Sequence, residues 1–212
     1  MSSVDRLKLA ISTGLGLART NKFLVTLPEI SSGTGILGAI TGALGTTQRN
    51  ILCTNATIPG KQILTHERRI GIEQQKVMYG YAMDDVTLQF METSNLPIRN
   101  YFEKWISTMH DTSPGNQDKN VVNYPTEYAK RVTIHQLSNP IPFGRNNFSI
   151  GPIGLNPQIS TYSCALVDAY PTTLGPIEYS NEQDGFVTFS VQLSYRFWER
   201  VPAGQLSLGF NL

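Results

Sequence analysis

The hydrophobic pattern is clearest over Gly185 to Trp198, G-F-V-T-F-S-V-Q-L-S-Y-R-F-W. Val187, Phe189, Val191, Leu193, Tyr195 and Phe197 alternate with Thr188, Ser190, Gln192, Ser194 and Arg196. Period-two alternation puts one set on a core face and the other in water, so the spacing predicts a single long strand. At about 3.4 Å per residue it would run to roughly 40 Å. Burying its apolar set is worth on the order of 10 kcal/mol of gross hydrophobic stabilisation. Other segments should pair with this strand or cover its apolar face.

Further strands are expected at Asn21 to Pro28 (Phe23, Val25 and Leu27 on one face), Ile51 to Ile58 and Asp84 to Glu92 (Val86, Leu88 and Phe90 inward). Two more are expected at Ala129 to Leu137 and at Ile159 to Tyr170, the latter closed by Pro171. In the Ala129 to Leu137 strand, Val132 and Ile134 face the core, and His135 lies on the polar face as an ordinary surface or interface residue. One helix stands out. Asn95 or a neighbour would cap it and Pro97 suits its first turn. Ile98, Tyr101, Phe102, Trp105, Ile106 and Met109 recur at helical spacing on one face, a core stripe and not a cofactor box. Ser3 to Ile11 reads as a short amphipathic helix.

Ile63 to Tyr81 differs from these segments in being polar on both faces, with His66, Glu67, Arg68, Arg69, Glu73, Gln74, Gln75 and Lys76. The pattern predicts a hairpin turning near Gly71 to Gln75, its tip away from the core. Two strands without a core face gain little by folding alone, so such an arm makes sense when it pairs with another subunit or lines an aqueous channel. The remaining stretches read as loops or turns: Ser31 to Thr47, His110 to Pro125, Ser138 to Gln158 and Thr172 to Asp184. The tail Glu199 to Leu212 carries Val201, Leu206, Leu208, Phe210 and Leu212, which suit docking on a neighbouring copy. With many strands, one solid helix and no βαβ alternation, the expectation is a mainly β protein. It would be a single domain over 1–212, an antiparallel β-sandwich or barrel with one flanking α-helix.

Composition narrows the function classes. The chain has 212 residues, 16% charged, with a net charge of +1. That balance argues against a dedicated nucleic-acid or membrane-surface binder. Twelve prolines and eighteen glycines suit a turn-rich fold. Cys53 and Cys164 are expected as reduced, buried thiols. The N-terminus lacks the apolar core of a signal peptide, so folding in a cytoplasm is expected and the sequons at Asn55 and Asn147 are chance matches.

Catalytic signatures are wanting. His66, His110 and His135 lie far apart with no ligand at metal spacing, so no metal or cofactor is expected. Asp84 and Asp85 are neighbours on an extended chain and point to opposite faces, which suits strand-start chemistry. The glycines of Ser31 to Thr47 lack the lysine and hydroxyl of a phosphate-binding loop.

The order of segments carries more information than any one of them. R-T-N-K-F-L-V-T-L-P leads to I-L-C-T-N-A-T-I-P-G-K-Q-I, then E-R-R-I-G and K-V-M-Y-G. D-D-V-T-L-Q-F runs into N-L-P-I-R-N-Y-F-E-K-W-I, followed by V-T-I-H-Q-L, D-A-Y-P and V-Q-L-S-Y-R-F-W. As an ordered set over most of Arg19 to Trp198, this resembles the tail tube proteins of contractile-tailed bacteriophages, which share a fold with type VI secretion tube proteins.

The resemblance implies a structural virion protein and not an enzyme. It implies six-fold rings stacked into a tube that conducts DNA without sequence-specific binding, inside a contractile sheath. Implied partners are further copies of the chain, the sheath protein, baseplate proteins and a tape-measure protein in the lumen. The implied location is the virion tail, assembled in the bacterial host cytoplasm. Carried over by position, Gln62, Thr65, Glu67, Arg68, Arg69, Glu73, Gln75, Lys76 and Tyr79 belong to the hairpin that joins neighbours and lines the channel. Leu206, Leu208 and Phe210 become ring-stacking candidates. The segments at about 31–47 and 138–158 are longer than in compact members of the family and look like insertions. They decorate an ordinary tube or mark a baseplate-proximal initiator. A ligand-binding β-sandwich using Ser138 to Gln158, or an enzyme with a cleft of converging acids, are the readings from other classes.

Overall fold

A computed structural model of the chain describes residues 3–13, 17–30, 49–110, 122–139, 160–180 and 185–202. The loop Ser31 to Thr47, most of Ser138 to Gln158 and the tail residues Leu206, Leu208 and Phe210 lie outside the described residues. The strands are β1 (Phe23–Thr26), β2 (Cys53–Ala56), β3 (Gln62–Ile70), β4 (Glu73–Ala82), β5 (Val86–Met91), β6 (Lys130–Leu137), β7 (Ser160–Leu174), β8 (Thr188–Ser194) and β9 (Phe197–Val201). The helices are α1 (Ser3–Thr13), α2 (Pro97–Met109) and the short α3 (Pro125–Tyr128).

All strand pairings are antiparallel. The main sheet runs β1-β6-β7-β8-β5-β2, with β9 also on β7, while β3 and β4 form a separate two-stranded sheet. The two ends of the main path, β1 and β2, approach each other, and the Leu27 backbone N–H donates to Asn50 Oδ1 at 3.2 Å. The sheet therefore curls around one core, as expected of a mainly β sandwich or barrel. Buried on its inside are Val25, Leu27, Val86, Leu88, Phe90, Val132, Ile134, Leu166, Phe189, Val191 and Leu193.

The long strand at 185–198 is corrected. Its alternation holds from Thr188 to Ser194, where Phe189, Val191 and Leu193 are buried, then breaks at Tyr195 and Arg196. The cause lies on β7. Asp168 takes a left-handed φ of 54°, and β7 turns a corner there. Beyond the corner Tyr170–Leu174 pairs with β8, and before it Ser163–Val167 pairs with β9. The Arg196 backbone N–H reaches Val167 O at 3.1 Å across the bend. Glu199 to Val201, read as tail, thus belongs to β9. Pro171 does not close β7 either. It sits inside the strand, opposite Leu193, where a register shift before Thr173 tolerates a residue without an N–H.

Helix α2 lies over the apolar face as its stripe predicts. Ile98, Tyr101, Phe102 and Trp105 are buried, and Ile106 is half-buried at the edge. The Phe102 ring lies 5.4 Å from Phe90 and 6.4 Å from Phe189. Two polar handles fix the helix: Tyr101 Oη donates to Pro28 O at 2.6 Å, and Trp105 Nε1 donates to Tyr128 O at 2.8 Å. The cap differs from expectation. Leu96, in a left-handed conformation, precedes the helix, and no side chain of the cap residue bonds to it. Instead Glu92, at the end of β5, accepts the Arg99 backbone N–H on Oε1 at 2.6 Å. The carboxylate directly follows the preceding strand, so it pins the strand's end to the helix while facing the positive end of the helix dipole.

His135 is also corrected. It is buried, with Nδ1 2.8 Å from Ser163 Oγ, which in turn lies 2.6 Å from Ser160 Oγ. Strand β6 is covered on both faces at this point, so the polar side chain is satisfied across the ladder to β7 and not by water. Burial pushes both free thiols up, Cys53 to about 12 and Cys164 to about 11.

Candidate assembly arm

The arm is built from β3 and β4. Directly opposed pairs run from Gln62 with Ala82 at the root to Ile70 with Glu73 at the end, and Gly71 and Ile72 form the turn. Gly71 has φ +66°, which a residue with a Cβ adopts only at a cost. A register shift between Leu64 and Thr65 leaves Tyr79 as the extra residue of β4, its ring 6.0 Å from His66.

Opposed residues share a face, so the register resolves the charge distribution. One face carries Gln62, His66, Arg68, Gln75 and Glu73, with Tyr79 turned toward His66. The other carries Ile63, Thr65, Glu67, Arg69, Gln74, Lys76 and Tyr81. On that second face Gln74 Nε2 donates to Glu67 Oε2, Arg69 Nε donates to Gly71 O at 3.2 Å, and Lys61 Nζ stands 4.5 Å from the Tyr81 ring centre. Each face therefore mixes both signs of charge. Nearly every arm residue is exposed, including Ile63, Ile70, Ile72, Met78, Tyr79 and Tyr81. Among the described residues the arm shares no ladder with the main sheet.

The structure thus collects Gln62, Thr65, Glu67, Arg68, Arg69, Glu73, Gln75, Lys76 and Tyr79 on one projecting ribbon and keeps Tyr101, Phe102, Trp105 and Ile106 in the body of the domain. No cluster of three or more His, Cys, Asp or Glu suited to a metal occurs among the described residues, and none of their helices is long and apolar enough to cross a membrane.

The sequence profile of phage tail tube proteins matches residues 18–201. The chain belongs to the phage tail tube protein family. Solved structures agree on the fold. A chain of the sheath/tube terminator of the extracellular contractile injection system PVC, in its extended state, superposes with a TM-score of 0.52 at 13% identity, over 88% of this chain and 97% of that one. A chain of the tube-terminating cap of the anti-feeding prophage gives 0.52 at 15% identity, over 87% and 91%. No curated protein matches the chain in sequence.

Reasoning from sequence missed Glu92, whose signal was a lone acid between a strand and the N-L-P of a helix start. It also missed the His135–Ser163 pair, which shows only once β6 is registered on β7. Burial raises the Glu92 carboxyl above the usual range, opposed by the backbone N–H groups it accepts at the helix start.

Proposed function

We propose that this chain self-assembles into stacked six-fold rings forming the inner tube of a contractile tail, through which DNA passes during ejection. The arm joins neighbouring subunits and contributes the channel wall. The observation that carries this reading is a two-stranded ribbon, exposed on both faces, in a member of a tail tube family. A lone ribbon is marginal in water, so its long, regular ladder makes sense when neighbours pair with it.

The arm's charges suit a conduit. Arg68 and Glu73 sit on one face, and Arg69, Lys76 and Glu67 on the other. Every unmatched cation on a wall adds salt-dependent affinity for phosphates, so alternating signs let DNA slide. Sheath outside, baseplate at one end and tape-measure protein inside complete the assembly.

Negative-stain microscopy of the purified protein tests the proposal. Rings or tubes with a central hole are expected. Strictly monomeric particles at high concentration, with or without a baseplate fraction as nucleus, would refute it.

A further inference from the structure

The D-A-Y-P corner of β7 is the irregular part of the fold that the channel reading leaves unused. Asp168 is held in a left-handed conformation, where it opposes the break at Tyr195 and Arg196. Strain of that kind in a non-glycine residue points to a local purpose. Beside it lies a groove of about 440 Å³ walled by Pro125, Tyr128, Tyr170 and Tyr195, with Asp168 and Arg196 at the rim. Tyr128 and Tyr170 meet edge to face at 5.5 Å, and Tyr195 Oη donates to Asp84 O at 2.9 Å, so the aromatic walls are preformed. Arg196 and Asp168 pair with each other at 3.5 Å, with side chains 74% and 47% exposed, so an incoming pair of charges can exchange with this solvent-facing one.

The arm tip has complementary chemistry. Ile72 is 97% exposed and Ile70 is 54% exposed, an apolar tip on a polar ribbon. Arg69 and Glu73 flank it on opposite faces. The groove offers apolar walls for the isoleucines, a carboxylate for Arg69 and a guanidinium for Glu73. Within the chain no arm residue lines the groove. The arm reaches about 30 Å from root to tip at the rise of an extended strand.

We infer that the groove at Tyr128, Tyr170 and Tyr195 seats the Ile70–Ile72 tip of a second copy of this chain. The inference rests on the self-assembly reading and specifies one contact within it. The contact joins unlike surfaces, so each copy is both donor and acceptor, and the link propagates head to tail.

The test uses the full chain with Ile72→Cys combined with Thr126→Cys at the groove, the native Cys53 and Cys164 being buried. Under mild oxidation the double variant should give a ladder of covalent oligomers, with peptide mapping joining position 72 to position 126. Either single variant should stop at dimers. In parallel, Ile72→Asp should raise the concentration needed for assembly by about ten- to a hundredfold, the effect of losing one buried branched side chain, while Ile72→Val stays near wild type. Rings that form without the 72–126 link, or Ile72→Asp assembling at the wild-type concentration, would overturn the seat and leave the tube reading standing. A wild-type protein that stays monomeric would overturn both.

Discussion

Excising the arm is the perturbation that best separates folding from assembly. Gln62 and Ala82 oppose each other directly at its root, which places their Cα atoms about 5 Å apart. Replacing Ile63 to Tyr81 with Asn-Gly closes that gap with a turn suited to two antiparallel strands. The removed residues are nearly all exposed, so the core loses almost no buried apolar area. Shortening the connection by roughly three doublings lowers its closure entropy by about 1.9 kcal/mol. For a domain of this size each kcal/mol moves Tm by about 2–4 °C, so a rise of roughly 4–8 °C is expected. Fluorescence reports it well, because Trp105 is fully buried under the sheet. Thermal and urea unfolding at low micromolar concentration should show a protein at least as stable as wild type, and sedimentation should find it monomeric where wild type assembles. A loss of more than about 2 kcal/mol would mean that the arm supports its own domain, and a division of labour between folding body and assembling arm would be wrong.

Other perturbations probe the body of the domain. Phe102→Ala removes a fully buried ring set against Phe90, Tyr101 and Phe189 and should cost about 3–5 kcal/mol in urea denaturation. Glu92→Ala removes the acceptor at the start of α2 and should cost about 1–2 kcal/mol. Glu92→Gln keeps an acceptor and removes the charge. Because burial raises this carboxyl, the wild-type contribution is complete below the usual carboxylate pKa and is lost as pH rises through the folded value. The glutamine variant should therefore gain on wild type as pH rises from about 4.5, read from urea midpoints. Burial lowers the His135 pKa, so its contribution is complete above the ordinary imidazole value near 6.5 and is lost as pH falls toward the folded value. His135→Gln should flatten that acid limb in a pH series of thermal melts.

The legible parts of the fold are those whose signal is local. The α2 stripe is visible because Ile98, Tyr101, Phe102 and Trp105 repeat at the helical period, and burial follows that repeat. The arm is visible as a failure of patterning, since neither face of β3 or β4 has a core to satisfy. The kink at Tyr195 and Arg196 is invisible because the alternation continues across it while the pairing partner changes. Its cause sits on β7, at an aspartate whose left-handed conformation carries no glycine to announce it. His135 looks like a surface residue for the same reason. Its burial depends on Ser163, which only the sheet register brings alongside. The Glu92 cap is hidden because the acid precedes the helix by several residues and sits just past the end of another element.

The separateness of the β3–β4 ribbon has a kinetic consequence. Among the described residues each strand of the ribbon keeps one unpaired edge, and the two edges are unlike. In the proposed ring, adding a neighbour would satisfy one edge and present a fresh one, so an incomplete arc would be as adhesive as a monomer and only closure would end the series. Early arcs gain few contacts for the orientational freedom they give up, whereas the closing step gains two edges at once. Assembly should therefore show a lag, a sharp concentration threshold and strong acceleration by preformed rings. In the proposed assembly, supplying the first ring would set when tubes appear.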